Sequence, residues 1–207
     1  MISLQGDCDS TSLRESLKTQ LNKVNDQLQT MIDSLDDERK CLLSEFETVR
    51  AAFIQAESKA ALYYLNCYLS PYTDCYDELS RFIQSMSARR HGALIAVERN
   101  EPLLPLLHNG TIIGAKVSHY LLESIFYPGN PLHDGAVLIR SNEIVSAKNI
   151  LPVSDSSKLS ESYGTRHRAA IGLSETSDAI VLVVSEETGH ASFAIEGQLY
   201  PLAVSHP

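Results

Sequence analysis

Leu13, Leu17, Leu21, Val24, Leu28, Met31 and Leu35 follow one another at steps of three and four residues. A helix turns once every about 3.6 residues, so this spacing lays one apolar stripe along a single long amphipathic helix. Lys, Gln, Asn and Asp occupy its other face. The stripe has to be covered, and that constrains everything near it. Asp33 and the run Asp36-Asp37-Glu38 crowd the end of the segment with acids. Acids suit a helix N-terminus and disfavour a C-terminus. A break is therefore predicted here, with a second helix starting near Asp36 or Asp37 and an apolar face of Leu42, Leu43, Phe46, Val49, Phe53 and Ile54. Two helices with a short connection make a hairpin. Pairing within one chain and pairing between chains fit the leucine steps equally well. Residues before about Ser10 are short, polar and read as disordered.

Further along, Ala60–Leu69 reads as continued helix or a connecting piece. Ser70-Pro71 reads as a helix start, with Ser70 as cap and Pro71 in the first turn. Tyr76, Leu79, Phe82, Ile83 and Met86 give that helix its buried face. After His91-Gly92 the period changes. Ala93–Val97 is wholly apolar and short, as in a buried strand. Gly110-Thr111 marks a turn, and 117–126 a helix capped by Ser118. Pro128-Gly129-Asn130-Pro131 breaks the chain. Strands are predicted at 135–140 and 143–151, joined by Ser141-Asn142, then a polar loop at 154–162 and a helix at 165–173. Three more strands follow at 179–184, 191–195 and 198–202. The expected fold is α/β (α+β): a central mixed sheet flanked by helices, preceded by an all-α helical hairpin. The division is placed at 1–62 for the hairpin and 63–207 for the second domain.

With a formal charge of −9, the chain has no general attraction to nucleic acid or anionic lipid. No stretch approaches the roughly 20 apolar residues of a membrane span, and the start lacks the features of a secretory signal. Cys8, Cys41, Cys67 and Cys75 match no zinc or redox spacing and read as reduced thiols of a cytoplasmic protein.

Three polar clusters interrupt the apolar elements. In Leu132-His133-Asp134-Gly135-Ala136 a glycine at a strand mouth permits close approach, and Asp134 can serve as base, metal ligand or turn cap. Gly164-Thr165-Arg166-His167-Arg168 places a glycine, a hydroxyl and basic groups at a helix start, which suits phosphate. On a regular helix Arg166 and Arg168 diverge by about 200°, so both reach one triphosphate only from a loop or first turn; otherwise one binds phosphate and the other anchors an internal carboxylate. Val184-Ser185-Glu186-Glu187-Thr188-Gly189 ends the most strand-like segment, where α/β sheets put ligands. Together these groups are an inventory for metal-assisted chemistry on a nucleoside triphosphate.

PLHDGAV, GTRHRAAIGLSE and VSEETG, in this order and joined by GALIAVER and LLESIF, resemble the diadenylate cyclase (DAC, DisA-N) domain over about residues 72–202. The hairpin resembles that of the soluble, sporulation-associated branch of the family. The resemblance implies synthesis of cyclic di-AMP and pyrophosphate from two ATP molecules. It implies that Asp134 orients and deprotonates the ribose 3′-hydroxyl or holds a metal beside it, with Arg166, His167 and Arg168 as further catalytic residues. Gly135, Ala136, Gly164, Thr165, Ser185 and Glu186 would line the nucleotide together with the Arg-His-Arg run, and the adenine would lie near Leu151 and Pro152. His133, Asp134 and Glu187 would hold Mn²⁺ or Mg²⁺, the mixed imidazole–carboxylate set suiting Mn²⁺ better. It further implies self-association with facing sites, a dimer within a larger homo-oligomer, with a hexamer as one candidate, and no nucleic-acid or membrane partner. The alternative reading is a module that senses ATP or cyclic di-AMP without turnover.

Overall fold

The computed structural model describes residues 11–35, 42–155 and 163–202. The expectations of a disordered start before Ser10 and of a helix beginning at Asp36 or Asp37 lie outside them, as does most of the 154–162 loop. Helix α1 (Thr11–Asp33) packs on α2 (Leu42–Leu69) as an antiparallel hairpin. Lys59 Nζ donates to Ser16 Oγ at 2.5 Å across it. Leu13, Val24 and Met31 are buried, whereas Leu21, Leu28 and Leu35 are exposed. The apolar stripe is thus broader than α2 alone covers. Helix α2 runs unbroken through Ala60–Leu69, and Ala61, Leu65, Tyr68 and Leu69 enter the core of the second domain.

Pro71 does not open the next helix. Tyr72 and Thr73 N–H both donate to the Leu69 carbonyl, at 2.8 and 3.0 Å, and the chain turns. Helix α3 (Tyr76–Arg89) begins only after Cys75. The cause is tertiary: the Thr73 hydroxyl accepts from Cys75 N–H at 3.1 Å and donates to Asn142 at 3.0 Å, pinning the turn to a distant hairpin. Cys75 is a buried free thiol. Cys67 is disulfide-bonded, so the expectation of reduced thiols fails at that position. Spacing along a chain does not report the Cα separation that a disulfide requires.

Among the described residues seven strands form one mixed sheet: β1 (Ala93–Glu98), β2 (Thr111–Lys116), β3 (Ala136–Arg140), β4 (Glu143–Asn149), β5 (Ile180–Val184), β6 (Ala191–Ile195) and β7 (Gln198–Leu202), in the order β2-β4-β3-β1-β5-β6-β7. Only β1 and β3 run parallel. Alternate residues point to opposite faces. Ile95, Val97, Val137, Ile139, Leu182 and Val184 face a core shared with α3, α4 (His119–Ile125) and the end of α2. Leu94, Ala96, Ala136, Leu138, Val181 and Val183 face α5 (Thr165–Thr176). Strand β2 is absent from the sequence expectation. It lies at the sheet edge, is mostly exposed, and shifts register between Ile112 and Ala115 around Gly114 at φ 62°. An edge strand with no buried face leaves no apolar alternation to read.

Candidate active site

The strand pairing sets where the polar clusters meet. Strand β1 runs parallel to β3 and antiparallel to β5, with Ala93 opposite Val184. The starts of β1 and β3 and the end of β5 therefore share one edge of the sheet. Gly92, Asp134-Gly135 and Ser185 extend from that edge on three adjacent strands. Neighbouring strands are about 4.8 Å apart, so Asp134 and Ser185 leave the sheet about 10 Å from one another.

The first cluster is held rigidly. Gly135 has φ 126°, and a β-carbon there would stand 2.8 Å from the Lys148 carbonyl carbon and 2.9 Å from the Asn149 carbonyl oxygen. Only glycine fits both the conformation and the space. Asn149 is buried; its amide donates to the Ala136 carbonyl at 2.9 Å, and its Oδ1 accepts from Ser146 Oγ at 3.0 Å. Sequence reasoning did not single out Asn149, because β4 also carries Glu143, Ser146 and Lys148 and one more polar residue gave no signal. Asp134 is exposed at the tip.

The second cluster opens α5. Gly164 is its extended N-cap and makes no side-chain capping bond. The helix is regular from Thr165, and the two arginines part as the geometry of a helix requires. Arg166 turns to the sheet edge, where Nη1 donates to Glu186 Oε2 at 2.7 Å. Arg168 turns away and donates to the Ser154 carbonyl at 3.2 Å. His167 stacks on Tyr163 with ring centroids 5.6 Å apart. Burial pushes the His167 imidazole pKa below its ordinary value, and Glu187 pulls it part of the way back. A neutral imidazole can accept a proton.

The third cluster is a tight turn. Gly189 N–H donates to the Ser185 carbonyl at 2.9 Å, and Thr188 N–H donates to Ser185 Oγ at 3.3 Å. Ser87 of α3 clamps the turn by donating to the Gly189 carbonyl at 2.6 Å. The second and third clusters line one cavity of about 750 Å³, with Thr165, Arg166, His167, Ser185, Glu186 and Glu187 on its wall. Arg168, His133 and Asp134 are not among its lining residues. Ile54, Gln55 and Ser58 of α2 close the far side, a contribution that local sequence could not signal.

His133 Nδ1 meets the Asn130 carbonyl at 2.5 Å. A ring nitrogen pinned to a carbonyl as donor leaves Nε2 as an acceptor, which is how metal-binding histidines are held. Among the described residues no three His, Cys, Asp or Glu side chains form a ready metal cluster. His133 and its neighbour Asp134 offer an imidazole Nε2 and an exposed carboxylate, donors of the kind a divalent cation takes together with phosphate oxygens, while Glu187 stands apart from them on the cavity wall. Leu151 is buried beneath α5 in the second core and Pro152 is half-buried, whereas their neighbours Ile150 and Val153 are exposed.

Among the described residues no helix is long and apolar enough to cross a membrane. The family model "DisA bacterial checkpoint controller nucleotide-binding" matches residues 80–199, and "Diadenylate cyclase CdaS, N-terminal" matches residues 4–72. The chain is 50% identical over 195 residues to a diadenylate cyclase CdaS of Bacillus thuringiensis, covering 94% of this chain and 97% of that one. It is 41% identical over 191 residues to a cyclic di-AMP synthase CdaS of Bacillus subtilis, covering 92% of each. The crystal structure of a Bacillus cereus protein, called a hypothetical membrane spanning protein, superposes with a TM-score of 0.82 at 50% identity, covering 94% of this chain and 95% of that one. With its nucleotide-binding and N-terminal regions both matched over nearly their whole length, the chain belongs to the diadenylate cyclase family, in the branch that carries the CdaS N-terminal region.

Proposed function

We propose that this chain, a diadenylate cyclase forming cyclic di-AMP from ATP, works through the three clusters gathered at one edge of its sheet. The observation that supports the residue assignment is that the starts of β1 and β3 and the end of β5 lie side by side, so that Gly92, Asp134 and Ser185 leave the sheet at the same end, with Arg166 of α5 lying against Gly92. Asp134 orients the ribose 3′-hydroxyl and takes its proton. Thr165, Arg166 and the first-turn N–H groups of α5 receive the triphosphate. Ser185 donates its hydroxyl to phosphate, and neutral His167 accepts a proton or a hydrogen bond beside it. Arg168 braces the loop at Ser154. The adenine lies near Leu151 and Pro152, on the side where their neighbours Ile150 and Val153 are exposed.

Each 3′-oxygen attacks the α-phosphorus of the opposing ATP, and pyrophosphate leaves. Such transfer rests on alignment and charge neutralisation rather than on a protein nucleophile. His133, Asp134 and Glu187 would hold Mn²⁺ or Mg²⁺, which when bound offsets charge on the phosphate oxygens. One site takes one ATP, so ring closure requires two protomers with facing sites. Exposed Leu21 and Leu28 on α1 and Leu35 just beyond it, with Leu43, Phe46 and Phe53 on α2, support assembly through the hairpin. The hairpin, residues 1–62 in this division, also supplies a wall of the cavity, which supports a restraining role.

Incubation of the full chain with ATP and Mn²⁺ tests the reading. Cyclic di-AMP and pyrophosphate should accumulate, and Asp134→Asn should abolish both while preserving the melting temperature and the assembled size. Full turnover by Asp134→Asn would remove Asp134 from the chemistry. ATP binding without product in the wild type would favour a sensing module.

A further inference from the structure

Arg166 is seated by two partners, neither of which is a phosphate. Its side chain is only 22% exposed, so its charge is largely withdrawn from water and needs a counterion. Glu186 Oε2 supplies one at 2.7 Å from Nη1. The guanidinium lies across Gly92, at the start of β1. A β-carbon on residue 92 would stand 2.7 Å from Arg166 Cζ and 3.0 Å from Glu186 Oε2. Gly92 is not required for a left-handed backbone. Its absent side chain is the floor on which the guanidinium rests: a β-carbon there would meet the far ends of Arg166 and Glu186 and displace them rather than the backbone.

We propose that Gly92 and Glu186 are positioning residues for the cyclase reaction, holding Arg166 over the mouth of β1 with Nε and Nη2 directed to the triphosphate. The inference rests on the reading that Arg166 binds that triphosphate. The guanidinium is a planar fork with five N–H donors. Glu186 engages the fork at Nη1, and fixing one prong fixes the plane of the others. Arg166 then meets ATP already oriented, without losing side-chain freedom at the moment of binding. Glu186 thereby acts through Arg166 rather than by touching the nucleotide. Its neighbour Glu187 interacts electrostatically with His167 instead.

The opposite role is physically distinct and makes the opposite forecast. A carboxylate that competed with phosphate for Arg166 would weaken ATP binding, and its removal would tighten it. The test uses the full chain with Mn²⁺ and three variants: Glu186→Gln, Gly92→Ala and the double change. Product formation by the wild type is measured first, so that failure of the cyclase reading is recognised separately. Glu186→Gln should raise the KM for ATP about tenfold, the size of one charge-assisted hydrogen bond, with a smaller change in kcat. Equilibrium binding of ATP should weaken by the same factor, while binding of adenosine, which has no phosphate, stays unchanged. Gly92→Ala should do the same, and the double variant should be little worse than either, because both changes release one guanidinium. If Gly92→Ala fails to fold, Glu186→Gln alone decides. An unchanged or lowered KM in Glu186→Gln, or equal losses for ATP and adenosine, would overturn the proposal.

Discussion

The Asn149 amide donates to the main-chain carbonyl of Ala136 at 2.9 Å, so the end of β4 grips the Asp-Gly-Ala segment from the neighbouring strand. Ser146 holds the other end of the same carboxamide at 3.0 Å. Asn149→Ala leaves a buried carbonyl and a buried hydroxyl unpaired. A loss of about 1–3 kcal/mol is expected in denaturant unfolding. Turnover should fall further than stability, because the segment that carries Asp134 loses its brace. Unchanged turnover at reduced stability would make Asn149 a purely structural residue.

Gly135→Ala is expected to be more severe. Its φ of 126° is hostile to a β-carbon, and the backbone of Lys148 and Asn149 occupies the space. The strain and the displacement together should cost at least about 2 kcal/mol. Cyclic di-AMP synthesis should drop below detection. A thermal melt beside a product assay checks both parts.

Glu78 joins α3 to the start of α4. His119 donates its main-chain N–H and its ring Nδ1 to Glu78 Oε2, each at 2.7 Å. The backbone bond first and the ring bond second hold the Glu78 carboxyl below its ordinary range; desolvation opposes this, and the charges of His119 and Arg81 assist to a smaller extent. The folded state therefore binds the Glu78 proton less readily than the unfolded chain. This contribution is complete above the ordinary glutamate value and is lost as pH falls through the lowered one. Glu78→Gln should flatten the acid limb of melting temperature against pH below about 4.5 and leave the limb near neutrality unchanged. An acid limb identical to the wild type would show that other carboxylates govern it.

Removing residues 1–60 tests the hairpin. The deletion takes away Ile54, Gln55 and Ser58 from the cavity wall but keeps Ala61, Leu65, Tyr68 and Leu69 in the core. Specific activity is expected to rise several-fold, with a smaller assembled size by light scattering. Unchanged activity together with unchanged size would end the idea of a restraining hairpin.

Much of this protein was legible from local pattern. The apolar run Ala93–Val97 and the segment 179–184 became β1 and β5 because buried strands need unbroken apolar stretches, which sequence displays directly. Ser118 was readable as a cap, and its Oγ accepts from Leu121 N–H at 3.2 Å. The motif text of the three clusters was legible in the same way. Strand β2 was not, since an exposed edge places no demand on side-chain polarity. Pro71 misled for a related reason: the signal for a helix start was present, but a bond from Thr73 to Asn142 decided where the helix began.

Sequence alone showed where the polar clusters lie along the chain and that a long helical hairpin precedes a mixed sheet, because periodicity and residue type are properties of neighbours along the chain. The tertiary structure decided that Arg166 faces Glu186 and Gly92 while Arg168 turns to Ser154, and that α2 walls the cavity. Those pairings join residues from 14 to more than 70 positions apart. They are set by strand order and helix phase, and no local pattern encodes them.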